Sequence, residues 1–356
     1  MKVEKNKSKG DHAGPPTYRD LARKAGVSVA AVSMALRNRP GVSEKTRARI
    51  LQLAKDENYR VNPLVTALMV ETRQRRKNGV RAIMGILSHG PLDSPESYRE
   101  HYGKSEYLRG ATAAASEHGY ALEQFDWKDL HADMRSFQRA LYTRRMVGLL
   151  IHLSEPPPAW FKPEWENYAV ASVGNVIHLP ELDAATHDHF SGLQMALRHV
   201  HAMGHRRVTL VLDKEAQRLQ EYRYLSAYTG APSFLPKLAR IPPLLADKIT
   251  PEQVLEHVRE NKTTVVICAD HLVYHWLEKG GYRIPKDISF IHLDRDYRWN
   301  HIAGIEQNSF DTGSAAVELV VSRINRNQYG IPQVPHVTMI EGRWVDGPSI
   351  RPLGDA

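Results

Sequence analysis

The sequence predicts an all-α headpiece followed by an α/β core of two doubly wound parallel-sheet lobes. Short helical patterns separated by a sharp turn occupy residues 17–61. From residue 80 onward, strands that are apolar throughout alternate with helices, which is typical of parallel sheets covered on both faces. Charge marks the same division, because residues 1–79 hold 18 Lys and Arg against 7 Asp and Glu, whereas the rest of the chain holds 30 against 33.

Two short helices and a turn make up the first part of the headpiece. We expect Thr17 to cap the first helix, Gly26 to end it, and Ser28 to cap the second, whose Val32 and Leu36 face inward. Two short helices joined by a glycine-containing turn form a helix-turn-helix unit, whose second helix is suited to the major groove of DNA. Together with the local positive charge, this unit predicts a DNA-binding headpiece.

Changes in composition predict the segment boundaries. We expect a disordered polar tail over residues 1–16, the headpiece over 17–61, a hinge helix and basic linker over 62–79, and the core over 80–356. The apolar strands predicted in the core are 82–87, 120–125, 147–152, 208–212, 265–269 and 288–293. Ligands of such sheets bind beyond the carboxyl ends of the strands, which predicts a ligand site in a cleft between the lobes.

Residue usage argues against several function classes. Cys268 is the single cysteine and lies in an apolar run, which predicts a buried apolar side chain rather than a nucleophile. Gly103-Lys104-Ser105 lacks the upstream glycine of a P-loop, and no other catalytic motif is found. The histidines at 187, 189, 199 and 201 are interpreted as surface or capping residues. We therefore predict a protein that is not an enzyme, with no cofactor and no metal site.

Several motifs follow one another in the order of a known family. They are Asp20-Leu21-Ala22, Ala25-Gly26-Val27-Ser28, Val42-Ser43, Asn58-Tyr59, Gly204-His205-Arg206-Arg207 and Asp287-Ile288-Ser289-Phe290-Ile291. In this order they resemble the LacI/GalR-type transcriptional repressors of bacteria, and the resemblance extends over nearly the whole chain. It implies a core like the periplasmic binding proteins, with an N-lobe of about 80–186 and 309–336 and a C-lobe of about 187–308 and 337–356.

The resemblance also implies partners and a location. We expect a cytoplasmic, nucleoid-associated homodimer that binds a palindromic operator in double-stranded DNA. A small-molecule effector, a sugar or polyol, is expected in the cleft. Neither a signal-peptide pattern nor an apolar run of membrane-spanning length is found in the sequence.

DNA contacts are predicted from the position of each residue in the headpiece and hinge. Val29, Ala30 and Met34 either contact a thymine methyl group or are small enough to allow close approach. Leu68 matches the family's minor-groove wedge, with packing inside the protein as the alternative. The remaining predicted contacts are the phosphate ligands Thr17, Ser28, Ser33 and Arg37, together with Asn62 at the start of the hinge.

The predicted effector site departs from the family pattern. Ala269 stands where sugar-sensing relatives commonly have asparagine, although Asp270 and Asp294 are retained. The family's arginine is assigned to Arg218, with Gln220 and Arg223 as alternatives. His89, which follows the first strand, and Tyr102, which could stack on a sugar ring, complete the predicted site.

Two alternatives to an effector-controlled regulator stay open from the sequence. In the first, the cleft has lost effector control. In the second, the chain is a ligand-binding protein or an enzyme of the same core fold, with no specific DNA site.

Overall fold

The computed structural model describes residues 18–36, 41–57, 82–88, 102–126, 134–152, 164–174 and 180–353. Residues 18–57 form one compact unit, and the residues from 82 to 324 and from 329 to 353 form a second. No helix in these ranges is long and apolar enough to cross a membrane. The predicted tail, hinge helix and linker lie outside the described residues, as do Thr17, Arg37, Asn62, Leu68 and His89.

Three helices form the headpiece: α1 (Tyr18–Ala25), α2 (Val29–Leu36) and α3 (Glu44–Asp56). Gly26 ends α1 with a φ of 62°, and the amide of Val27 donates to the carbonyl of Ala22 at 3.0 Å. All three helices contribute to one small core, comprising Leu21, Ala22, Ala25, Val32, Ala35, Ile50 and Ala54. The helix-turn-helix prediction is confirmed.

The core alternates strands and helices as predicted. Its strands within the described ranges are β1 (Ala82–Ser88), β2 (Tyr120–Asp126), β3 (Met146–His152), β4 (Ala169–Val173), β5 (Asp183–His187), β6 (Val208–Asp213), β7 (Leu244–Ala246), β8 (Val265–Cys268), β9 (Ser289–His292), β10 (Ala303–Glu306), β11 (Val337–Ile340) and β12 (Arg343–Val345). Its helices there are α4 (Tyr102–Glu117), α5 (Met134–Thr143), α6 (His189–Ala202), α7 (Lys214–Leu219), α8 (Arg223–Gly230), α9 (Pro251–Glu260), α10 (Leu272–Lys279) and α11 (Ser309–Arg326).

Two six-stranded sheets share one winding order. The first sheet runs β2-β1-β3-β4-β5-β11 and is parallel throughout. The second runs β7-β6-β8-β9-β10-β12, and β12 is antiparallel to its neighbour β10. In the first sheet, β2 lies on one side of β1 and β3 on the other; in the second sheet, β7 and β8 flank β6 in the same way. The strand order therefore reverses between β1 and β3 and between β6 and β8, and each reversal is a topological switch point. The prediction of two doubly wound lobes is confirmed.

The chain crosses between the lobes three times. The first crossing is the segment 187–189 between β5 and α6, and the second is 306–309 between β10 and α11. The third follows β11, which pairs with β5 and therefore belongs to the first sheet. The expected lobe boundary at 336/337 thus differs from the structure, because backbone pairing keeps 337–340 with the first lobe and the chain crosses between Ile340 and Arg343.

Helices α4 and α11 of the first lobe approach each other closely at two glycines. A Cβ atom on Gly313 would lie 2.1 Å from the carbonyl oxygen of Tyr107, and one on Gly110 would lie 1.8 Å from that of Phe310. Both obstacles are backbone atoms, which cannot rotate away. Glycine at these positions therefore sets the spacing of the two helices.

We expect Gly313→Ala to lower the free energy of unfolding of the core by about 1–3 kcal/mol, as overpacking does elsewhere. The helices would have to separate to admit the new methyl group. Gly230→Ala is the matched control, because a Cβ atom there meets nothing within 4 Å. Urea denaturation measures both variants, and equal stabilities for the two would contradict the close approach.

Candidate functional site

One predicted surface lies on α2 of the headpiece. Ser28 is exposed just before this helix, and its hydroxyl accepts a hydrogen bond from the amide of Ala31 at 3.1 Å. Met34 is half-buried and packs beside Gly41, where a Cβ atom would lie 3.2 Å from the Met34 sulfur. Val29, Ala30 and Ser33 lie on α2, but their side chains are outside the described part of the chain. The DNA contacts of these residues stay predictions.

The second surface is the cleft at the carboxyl ends of the two sheets. Asp294, just after β9, keeps an exposed side chain although protein surrounds it closely enough to desolvate it. A side chain that is exposed and yet desolvated is typical of a residue on the wall of a cleft. Desolvation and the neighbouring Asp296 raise the pKa of Asp294 to about 6, while Arg298 opposes the shift.

Residues of both lobes converge near Asp294. Burial, and next the charge of Asp294, raise the pKa of Tyr107 on α4 of the first lobe and that of Tyr224 on α8 of the second. The hydroxyl of Tyr107 also forms a hydrogen bond with the side chain of Ser309 at the second crossing. The electrostatic influence of one carboxylate therefore reaches both lobes.

Polar side chains form hydrogen bonds with the backbone at Leu293 and Asp294. The side-chain amide of Gln307 donates to the carbonyl of Leu293 at 2.9 Å and to the hydroxyl of Tyr224 at 3.2 Å. The amide of Asp294 itself donates to Nδ1 of His292 at 3.0 Å. These contacts fix the backbone that carries Asp294 at the end of β9.

The first-lobe floor of the cleft contains a histidine at the end of β3. Nδ1 of His152 lies 2.9 Å from the carbonyl oxygen of Val173, and its ring centroid lies 5.3 Å from that of Tyr107. Gly174 has a φ of 85°, and a Cβ atom there would lie 3.1 Å from the His152 ring. His152, Tyr107, Tyr224 and Gln307 were not predicted from the sequence. The available signal was that His152 ends a buried strand.

The other predicted effector residues have different surroundings. Asp270 is exposed and accepts a hydrogen bond from the amide of Leu272 at 2.9 Å, at the start of α10. Arg218 is exposed on α7 and pairs with Glu215 one turn away. Tyr102 begins α4, but its side chain lies outside the described residues.

Arg223, the alternative to Arg218, lies closer to the interior. Its side chain is 17% exposed, against 47% for Arg218, and it is paired with Glu221. Its charge also acts on the pKa of the buried His189 at the first crossing. Arg223 is therefore the more buried of the two arginines, and the choice between them stays a prediction.

Stability should depend on the charge of Asp294. A carboxyl group with a folded pKa of about 6, above its ordinary 3.8, binds its proton more tightly in the folded state, so stability falls as the pH rises between these values. We expect Asp294→Asn to raise the free energy of unfolding at pH 7 and to change it little at pH 3.5. Urea denaturation at both pH values measures the difference.

Asp287→Asn is the control with the opposite sign. Hydrogen bonds from Arg283 hold the pKa of Asp287 well below its usual value, so its stabilising effect is present at neutral pH and is lost in acid. This variant should be less stable than the wild type at pH 7. A loss of stability at pH 7 in both variants would contradict the environment described for Asp294.

The interpretation of the four histidines as surface or capping residues is wrong for His187 and His189, which are buried in the core. The other two have structural contacts. His199 stacks on Trp344 with ring centroids 4.3 Å apart, and Nε2 of His201 lies 2.8 Å from the carbonyl oxygen of Pro236. In the described ranges, no group of three or more His, Cys, Asp or Glu side chains could hold a metal ion.

Comparison with known proteins identifies both parts of the chain. A family model for "Bacterial regulatory proteins, lacI family" matches residues 17–62, and one for "Periplasmic binding protein-like domain" matches residues 197–350. Residues 17–62 therefore match a LacI-family DNA-binding domain, and the chain as a whole is similar to LacI-family repressors. The matched LacI segment coincides with the predicted helix-turn-helix headpiece.

Relatives and solved structures of the LacI family span nearly the full chain. The HTH-type transcriptional repressor CytR of Escherichia coli (strain K12) is 25% identical over 329 residues, covering 88% of this chain and 91% of CytR. The repressor PurR of Pectobacterium carotovorum is 25% identical over 353 residues, covering 93% and 98%.

Two solved structures share the LacI-family fold at 18% identity and a TM-score of 0.55. The regulator CelR in complex with cellobiose matches over 94% of this chain and 99% of its own. The lac repressor dimer bound to operator and the anti-inducer ONPF matches over 95% and 100%.

Proposed function

We propose that this protein is a transcriptional repressor that binds operator DNA through its headpiece and responds to a small molecule in the cleft of its core. The observation that carries this proposal is the basic helix-turn-helix headpiece, which the LacI-family model matches, on the same chain as a two-lobed core. Relatives named as repressors, CytR and PurR, align with both parts.

The chemistry of the cleft favours an uncharged ligand with several hydroxyl groups. Asp294 supplies a carboxylate that accepts hydrogen bonds, and the Tyr107 ring offers a flat surface beside it. Arg298 and Arg223, the nearby cations, are each paired with a carboxylate, which disfavours an anionic ligand. Related structures were solved with cellobiose, glucose and sucrose, which supports a sugar or polyol. His89, Tyr102, Asp270 and Asp294 remain the proposed contacts, with Arg218 or Arg223 as the arginine.

The proposed mechanism is a linkage between two binding events. In a homodimer, two headpieces meet the two half-sites of a palindromic operator, as the lac repressor dimer meets its operator. An effector that binds two lobe arrangements with different affinities shifts operator affinity by the corresponding amount. Acting on chromosomal DNA, the protein would work in the bacterial cytoplasm.

Selection of bound sequences from a random duplex pool, at near-physiological salt, tests the proposal. We expect the full-length protein to enrich a palindrome with a flexible pyrimidine–purine step at its centre. Recovery of no enriched sequence, both without ligand and with a panel of sugars, would overturn the repressor assignment. In that case the function would lie in the cleft alone.

A further inference from the structure

Helix α2 of the headpiece buries one face and leaves the opposite face outward. Val32 and Ala35 are buried in the core that the three headpiece helices share, and Leu36 packs against that core. Successive residues of an α-helix are rotated by about 100°, so positions 30 and 34 lie opposite Val32 and Ala35. The outward face of α2 is therefore centred on Ala30 and Met34.

The residues of α2 cannot recognise a purine base through two hydrogen bonds. Arginine and lysine pair in this way with guanine, and asparagine and glutamine pair with adenine. Helix α2 contains none of these residue types, and Ser33 is its one polar residue. Because a serine hydroxyl both donates and accepts, it discriminates little between bases. The hydroxyl of Ser28, just before the helix, caps the amide of Ala31.

Met34 is placed on the outward face by the fold of the headpiece itself. Its side chain is half-buried beside Gly41, three residues before α3 begins. A Cβ atom on Gly41 would lie 3.2 Å from the Met34 sulfur and 3.9 Å from its terminal methyl carbon. The lack of a side chain at Gly41 therefore leaves room for the Met34 thioether.

We propose that α2 recognises its DNA half-site through the methyl groups of thymine rather than through hydrogen bonds to base edges. This inference rests on the proposed function and names the feature of the operator that the headpiece distinguishes. The thymine methyl group projects into the major groove, where apolar side chains can contact it. Among the four bases only thymine carries this group, so an apolar helix face can still distinguish sequences.

The distribution of charge fits DNA as the partner of this apolar face. Residues 1–79 hold 18 Lys and Arg against 7 Asp and Glu, which attracts phosphate groups whatever the sequence. Helix α2 itself carries no charged residue. A neutral helix within a strongly basic segment matches the major groove, in which base edges and methyl groups lie between two phosphate backbones.

The test replaces thymine by deoxyuridine, which removes the methyl group and keeps the base pair. Fluorescence anisotropy measures binding of the full-length protein to the palindrome enriched by selection, with one thymine position of the half-site replaced at a time. We expect replacement at one or more positions to weaken binding about fourfold for each half-site, as for the burial of one methylene group. Replacement outside the half-sites should leave the affinity unchanged.

Two protein variants show whether α2 makes the contact. Met34→Ala shortens the side chain and should remove the effect of deoxyuridine at the thymine that faces position 34. Leu51→Ala is the matched control, because Leu51 is exposed on α3 of the same headpiece. This control should keep the deoxyuridine effect of the wild type at every position.

An enriched palindrome whose half-sites lack thymine, or tolerate deoxyuridine at every position, would overturn the inference and leave the repressor assignment intact. The same deoxyuridine effects in Met34→Ala as in the wild type would also overturn it, since the methyl groups would then be contacted without Met34. A selection that enriches no sequence would instead overturn the inference together with the repressor assignment.

Discussion

Leu21→Ala is expected to abolish specific DNA binding and leave the core folded. Leu21 is fully buried in the small core shared by α1, α2 and α3. Truncating a buried leucine to alanine lowers the free energy of unfolding by about 2–5 kcal/mol. A headpiece of this size has little stability in reserve, so a loss of that size unfolds it. Fluorescence anisotropy with the selected operator measures the binding, and far-UV circular dichroism measures the remaining helix.

Leu51→Ala is the matched control for that loss. Leu51 belongs to the same headpiece, on α3, but its side chain is 46% exposed. Its truncation removes little buried surface and should leave operator affinity within about threefold of the wild type, as for most surface substitutions. Full operator affinity in Leu21→Ala would mean that DNA is bound by another part of the chain.

Arg323→Ala is expected to lower the free energy of unfolding of the core by about 3–5 kcal/mol, the range found when one partner of a buried ion pair is removed. Both side chains of the Arg323–Asp183 pair are 7% exposed, and their charged atoms lie 2.8 Å apart. The guanidinium group also donates to the carbonyl of Gly330, and Asp183 accepts from the amide of His336. Truncation leaves the Asp183 carboxylate buried with only part of its hydrogen bonds.

Lys214→Ala tests whether burial is the cause. Lys214 pairs with Asp247 at 3.3 Å, but the two side chains are 49% and 86% exposed. Exposed pairs of this kind contribute at most about 1 kcal/mol. Urea denaturation of both variants should therefore give clearly different losses. Similar losses would show that the Arg323–Asp183 pair is as well solvated as a surface pair.

The headpiece and the winding of the core were predictable because their signals are local. Gly26 ends α1 at the expected position, and Ser28 caps α2 as its side-chain chemistry predicts. The strands 82–87 and 147–152 consist of residues apolar enough to be recognised without their neighbours. Contacts within a few residues of each other decide such elements, so the order of the amino acids is sufficient.

The edge strands and the cleft were less accessible to sequence reasoning. Strand β11 exposes Val337 and Met339 and belongs to the first sheet only because it pairs with β5, more than a hundred residues earlier. No local pattern distinguishes it from a strand of the second lobe. For the same reason, the sequence could not show that Arg223 is more buried than Arg218.

The sequence by itself therefore determined the basic helix-turn-helix headpiece, the two-lobed parallel core and the presence of Asp294 at the end of a strand. Tertiary structure alone decided what surrounds that carboxylate. Tyr107, Tyr224 and Gln307 come from three different elements and meet only when both lobes are folded. The raised pKa of Asp294 and the lowered pKa of His187 depend on burial, which is a property of the whole packed core rather than of any segment.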